Sequence, residues 1–144
     1  MAVTALKRVA LLLVFAAALA AQQSKAIYHE VSQVATALTS GNPSDAMTPF
    51  DKSFAGYDQL RDYFIALSNV YQTMNEIEIM EQEIGENDAT LKIQWTLTLT
   101  SLADGISQTR SEEVTVKLHQ KKYQWRIVDF SPIELFNPEL RQSK

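Results

Sequence analysis

The sequence contains no cysteine. That excludes structural disulfides, thiol catalysis, a lipid-modified cysteine and every thiolate metal site, so a domain built from it is held by its core alone. Glycine is scarce, with four in 144 residues, and no Gly-x-Gly-x-x-Gly, P-loop or Gly-x-Ser-x-Gly pattern occurs. Nucleotide-binding folds and nucleophilic hydrolases drop out. Only two histidines are present. His29 lies about 200° around a helix from Ile27, and His119 alternates with the apolar residues of a strand. Neither has a second histidine or a Glu-x-x-His partner, so no metal site is expected. A basic face is missing too: 13 Lys and Arg stand against 17 Asp and Glu, for a net charge of −4. No nucleic-acid partner is expected of such a chain. The acidic residues Glu76, Glu78, Glu81, Glu83, Glu86 and Asp88 lack an Asp-x-Asp-x-Asp-Gly loop. They read as solvated strand charge that discourages edge pairing rather than as a Ca²⁺ site.

What is present begins with an apolar N-terminus. Lys7 and Arg8 precede an unbroken apolar run from Val9 to Ala21, and Ala18-Leu19-Ala20 puts small residues where a signal peptidase reads. The run is shorter than the ~17–25 residues of a membrane-spanning helix. Residues 1–20 therefore read as a cleaved secretory leader, and a cut after Ser24-Lys25-Ala26 would instead start the mature chain at Ile27. The expectation is an exported protein, periplasmic or extracellular, with no stable membrane anchor after cleavage. Loss of Lys7 and Arg8 takes the net charge to −6. The remaining chain is long enough to bury about two-thirds of its unfolded surface in one domain.

Ile27, Val31, Val34 and Leu38 form one stripe on a helix, which Gly41 and Pro43 end. Asn42-Pro43-Ser44-Asp45 is a turn with a good N-cap, leading into a short helix at Ala46–Phe50. Tyr57, Leu60, Phe64, Leu67 and Tyr71 then repeat at helical spacing, with Asp58, Arg61 and Asp62 on the opposite side. Beyond Thr73 the period falls to two. Glu76-Ile77-Glu78-Ile79 alternates, and a bulge near Met80 would keep Glu81 and Glu83 off the apolar face. Gly85–Asp88 is a turn. Leu91, Ile93, Trp95, Leu97 and Leu99 alternate with a polar row that includes Thr96, Thr98 and Thr100, an exposed or dimer-facing surface. Asp104-Gly105 marks a hairpin into Ser107–Gln120, and Gln120-Lys121-Lys122 turns into a last strand, Tyr123–Phe130. Helices first and one-sided strands after predict an α+β fold, with the N-terminal helices in the concave face of a curved, mainly antiparallel sheet of four or more strands.

Two stretches carry a resemblance. Gly56-Tyr57-Asp58-Gln59-Leu60-Arg61-Asp62-Tyr63-Phe64 resembles the entry to the third helix of the NTF2-like superfamily, which includes SnoaL-like and ketosteroid-isomerase-like proteins, and Tyr123-Gln124-Trp125-Arg126-Ile127-Val128 resembles its closing strand. The resemblance covers a domain at 27–137, followed by a tail at 138–144. It implies an α+β cone that often encloses a pocket at its wide end, in a group that ranges from enzymes to ligand binders and interaction modules.

In the last strand Tyr123, Trp125 and Ile127 share a face with Asp129, while Gln124, Arg126, Val128 and Phe130 share the other. Both sets are mixed, so the inward face is open. With the Trp125 face inward, Asp129 would be a pocket carboxylate of raised pKa; otherwise it is a solvated strand end. The isomerase branch implies a base carboxylate before the glycine-led helix, and Asp51 stands there, although Phe50–Phe54 equally reads as an ordinary helix end. Asp129 and Asp51 are the candidate catalytic residues. Tyr63, Phe64, Tyr71, Trp95 and Trp125 are core residues that would line a pocket if the fold encloses one. The expected role is a small-molecule binding or protein-interaction module, taking a small apolar ligand or pairing as a homodimer through the sheet face, with no cofactor and no metal. The alternatives are a cofactor-free isomerase- or cyclase-type enzyme that moves a proton with a buried carboxylate, and a structural dimer with a filled core. Ile133–Phe136 can pack on the sheet or on a partner.

Overall fold

The computed structural model describes residues 2–140, with side chains from Ala20 onward; Met1 and the end of the tail, residues 141–144, lie outside the described residues. The first helix, α1 (Ala2–Thr39), continues N-terminally past the expected start at Ile27. Ile27, Val31, Val34 and Leu38 are buried as the stripe requires, whereas Ala20, Ala21, Lys25 and Ala26 are exposed. Among the residues of this helix whose side chains are described, burial thus begins at Ile27. Gly41, at φ +73°, ends it in the left-handed conformation, with the Asn42 N–H donating to Ala37 O at 2.9 Å. In α2 (Pro43–Met47) the Asn42 side chain caps the Asp45 N–H at 3.2 Å.

Helix α3 (Tyr57–Val70) buries Leu60, Phe64 and Leu67. Gly56 before it has φ −88°, which any residue adopts. The reason for glycine is space: a Cβ there would lie 2.9 Å from the tip of the Phe54 ring. The helix also ends sooner than its apolar spacing suggests. Tyr71 is extended, φ −129° and ψ 149°, and opens the first strand two residues before the expected change of period. Its side chain serves either reading, since it is both four residues past Leu67 and the first inward position of the strand.

The sheet is an antiparallel meander in the order β1-β2-β3-β4, built from β1 (Tyr71–Ile84), β2 (Asp88–Ser101), β3 (Ser107–Lys121) and β4 (Gln124–Ser131). Helices fill its concave side, giving the expected α+β cone. Two bulges set the phase of the edge strands. In β1 the register slips between Ile79 and Glu81, so Met80 is the extra residue, Gln82 and Ile84 return to the inner face, and Glu81 and Glu83 stay outside. In β4 the slip leaves Val128 unpaired between Ile127, opposite Leu118, and Asp129, opposite Lys117. A 3₁₀ turn, η1 (Ile133–Phe136), follows and buries Leu135 and Phe136, so this segment packs on its own sheet. The fourth strand starts at Gln124, which corrects the expected start at Tyr123: Lys122 and Tyr123 are the turn.

Candidate functional site

The β4 bulge settles which face is inward. Trp125 and Ile127 are buried at 3% and 0%, and past Val128 it is Phe130, at 1%, that enters the core. Asp129 is turned outward, half-buried, opposite Lys117. An apolar side chain of the opposite parity thus fills the place that unbroken alternation gives to Asp129.

The centre of the cone is occupied by rings. Trp95 meets Phe130 at 5.6 Å and Phe136 at 5.5 Å between centroids, both edge-on; Phe64 meets Phe136 at 5.1 Å, and Phe50 meets Phe130 at 5.6 Å. Such edge-to-face contacts are the favoured aromatic geometry. The Trp95 Nε1–H is satisfied by Asn75 Oδ1 at 3.0 Å. Of the expected pocket residues, Phe64, Trp95 and Trp125 are packed core and Tyr71 is half-buried at the start of β1. Tyr63 lies apart from them. Its OH accepts from Gln59 Nε2 at 2.8 Å and donates to Glu134 Oε1 at 3.2 Å, tying α3 to η1. Partial burial and the Glu134 carboxylate raise its pKa above the ordinary phenol value.

Asp51 sits beside the β3–β4 hairpin. Its Oδ1 accepts the Ser53 N–H at 2.9 Å and its Oδ2 accepts from Lys121 Nζ at 3.1 Å. The hydrogen bonds from Ser53, and then Lys121, hold its carboxyl well below the usual carboxylate range. A base with so low a proton affinity is a weak one. The structure does not bring Asp51 and Asp129 together with Tyr63 or Tyr71 around a common space. Grooves lie on the outer surface instead. One of about 500 Å³ follows α1 and α2 past His29, Ser32, Thr36, Asn42 and Asp45, and one of about 560 Å³ flanks the β1–β2 hairpin at Glu81, Glu83, Thr90 and Lys92. None of the seven expected site residues lines either groove.

Two buried or half-buried charges escaped the sequence reading. Glu30, on the flank of α1, has its pKa raised by burial, against the opposing effect of His29 and Arg126. Its position three residues past Ile27, at the edge of the apolar stripe, was the available signal. Arg110 is 3% exposed on the inner face of β3, opposite Leu97. Its guanidinium donates to Leu135 O and Asn137 O at 2.8 Å each and to Leu140 O at 3.2 Å, while Nε has no partner among the described residues. Counting by twos back from Val114 places Arg110 inward, so its parity was legible.

The outer face of the sheet carries a ladder of paired hydroxyls across β2 and β3. Thr96 meets Ser111 at 3.2 Å, Thr98 meets Thr109 at 3.4 Å and Thr100 meets Ser107 at 2.7 Å. These are short side chains in register on a half-exposed surface.

No family model matches the sequence, and no curated protein does. Solved structures do match. A ketosteroid isomerase-like protein from Erwinia carotovora atroseptica aligns over 74% of this chain and 91% of its own, with TM-score 0.63 and 14% identity. An NTF2-like protein of unknown function from Shewanella oneidensis aligns over 75% and 96%, with TM-score 0.60 and 14% identity. A type 2 hexachlorocyclohexane dehydrochlorinase aligns over 76% and 82%, with TM-score 0.62 and 9% identity. The neighbours thus include enzymes as well as proteins of unknown function. The likeness is one of architecture, and the fold of this chain is that of the NTF2-like superfamily.

Proposed function

We propose that this chain is an exported interaction module that pairs with a second copy through the outer face of its sheet. The observation that carries the reading is the filled interior: Phe50, Phe64, Trp95, Phe130 and Phe136 stack where the cone would otherwise hold a ligand. A proton-transfer enzyme needs a carboxylate and a second donor around one cavity. Here the candidate carboxylates are outward at Asp129 and tied to Ser53 and Lys121 at Asp51. The hydroxyl ladder supports the sheet face as the contact, because short paired side chains give a flat surface that costs little side-chain entropy to cover. Export is supported by the leader-like N-terminal sequence, and Ala20, Ala21, Lys25 and Ala26, which flank the two candidate cuts, are exposed.

The test is Thr98→Arg, which puts a long cation at the middle of the ladder. At about 10 μM, sedimentation velocity is expected to find a dimer for the parent chain and a monomer for the variant, with circular dichroism unchanged. A parent chain that sediments as a monomer at that concentration, or a variant as dimeric there as its parent, would sink the sheet-face reading.

A further inference from the structure

The β3–β4 hairpin turns on Lys122 and Tyr123, and both are left-handed, with φ 49° and 67°. Two-residue turns of this hand favour Asn-Gly, because a side chain with a bulky β-carbon reaches positive φ only with strain. An aromatic residue in the second position is therefore an outlier. Its ring does not offset the strain by packing, for Tyr123 is 97% exposed. The hairpin is nonetheless braced. Lys121 is fixed by Asp51, the Gln120 N–H donates to Asn87 O at 2.8 Å, and Arg126 donates to Phe50 O at 2.8 Å. The chain holds an aromatic knob in solvent on a braced but strained turn, at a cost to its own stability. Strain of this kind gathers at functional sites, and an aromatic side chain, with two torsions, loses little freedom on binding.

Charge identifies the surface that the knob fits. Lys122 and Lys52, which follows Asp51, have no ion-pair partner among the described residues. The β1–β2 hairpin lies at the same end of the sheet, joined to this one through Asn87 and Gln120. It has the opposite character. Its groove of about 560 Å³ carries Glu81 and Glu83, and a neighbouring groove of about 350 Å³ that shares Glu81 is walled by Tyr28, Ile79 and Met80. Glu81 holds Lys92 at 3.5 Å, whereas Glu83 has no ion-pair partner among the described residues. Met80, extruded by the bulge, is 54% exposed. Carboxylates suit the ammonium groups, and a thioether beside an aromatic ring suits the phenol.

The knob cannot reach its own groove, because β4 and β1 are the two edges of the sheet, about three strand spacings or ~14 Å apart. Between two copies the elements meet. A two-fold axis normal to the sheet sets the β4 end of one copy against the β1 end of the other and closes with two identical contacts. The geometry points to a second copy of this chain as the partner, with Lys122 and Tyr123 of one copy seated in the Glu81–Glu83 groove of the other. This end-to-end contact is separate from the sheet-face pairing and does not rest on it.

A charge swap tests it, in a Thr98→Arg background so that sheet-face pairing is removed. Self-association is followed by sedimentation equilibrium. Lys122→Glu and Glu83→Lys are each expected to lower the association constant by about tenfold or more. An equimolar mixture of the two is expected to associate as the background chain does, because every knob then meets a groove of opposite charge. Tyr123→Gly is expected to weaken association similarly while the melting temperature holds or rises, since glycine relieves the turn. A background chain that stays monomeric up to about 1 mM, association unchanged by Lys122→Glu, or a mixture no better than its parts would overturn the contact.

Discussion

The Asp51 carboxylate accepts hydrogen bonds from Ser53 and from Lys121, and both favour its charged form. Its pKa in the folded chain is lowered, while in the unfolded chain a carboxyl of this type titrates near about 3.9. Folding is therefore favoured by this group above the unfolded value, and the contribution is lost as the pH falls through the lower folded one. Lys121 is half-exposed, so the ion pair is screened and contributes no more than about 1 kcal/mol. Asp51→Asn keeps an acceptor for the Ser53 N–H but loses the charge. It is expected to lower the melting temperature at pH 7 by a few degrees, with the gap narrowing below about pH 4. Calorimetry from pH 7 to pH 3 checks this, and a gap that does not change with pH would show that the ion pair is not its origin.

At the level of elements, the two bulges decide which residues face inward. Val128 is the extra residue, so deleting it leaves Ile127 opposite Leu118, Asp129 outward opposite Lys117 and Phe130 inward opposite Val116, and the deletion variant is expected to fold. Loss of the buried ring in Phe130→Ala costs about 3–5 kcal/mol, so that variant is expected to melt about 10 °C lower or more, or not to fold, by circular dichroism. Asp129→Asn, at an outward site, is expected to shift stability by about 0.5 kcal/mol or less. An Asp129→Asn variant as damaged as Phe130→Ala would mean that Asp129 is held inside. The two bulges also differ in how readable they were. On β1, two glutamates on the phase of Ile77 and Ile79 demanded a slip at Met80. On β4, Trp125 and Ile127 lie on one parity and Val128 and Phe130 on the other, so either face could have been buried, and the slip admits part of both. The helix stripes and the hydroxyl row followed their periods and were legible. The aromatic cluster was not, since Phe50 comes from a loop, Phe130 from beyond a bulge and Phe136 from a 3₁₀ turn, and no local period links them.

Taken as a whole, the molecule is one core whose first buried residue among those described is Ile27 and whose last is Phe136. A chain of residues 27–144 is expected to keep the same melting temperature to within about 2 °C, because the described positions of α1 from Ala20 to Ala26 are exposed or half-exposed. A larger loss by calorimetry would mean that the segment before Ile27 contributes to the core. The other end behaves differently. Arg110 lies inside the sheet with the carbonyls of Leu135, Asn137 and Leu140 as its ligands and no carboxylate among its hydrogen-bond partners in the described residues. Stripped of those ligands, a buried guanidinium strongly opposes closure of the core around it. A chain that emerges from its N-terminus onward has every helix and strand of the cone before it has these carbonyls. Closure of the core around Arg110 is thereby expected to wait for the last residues described, Leu135 to Leu140.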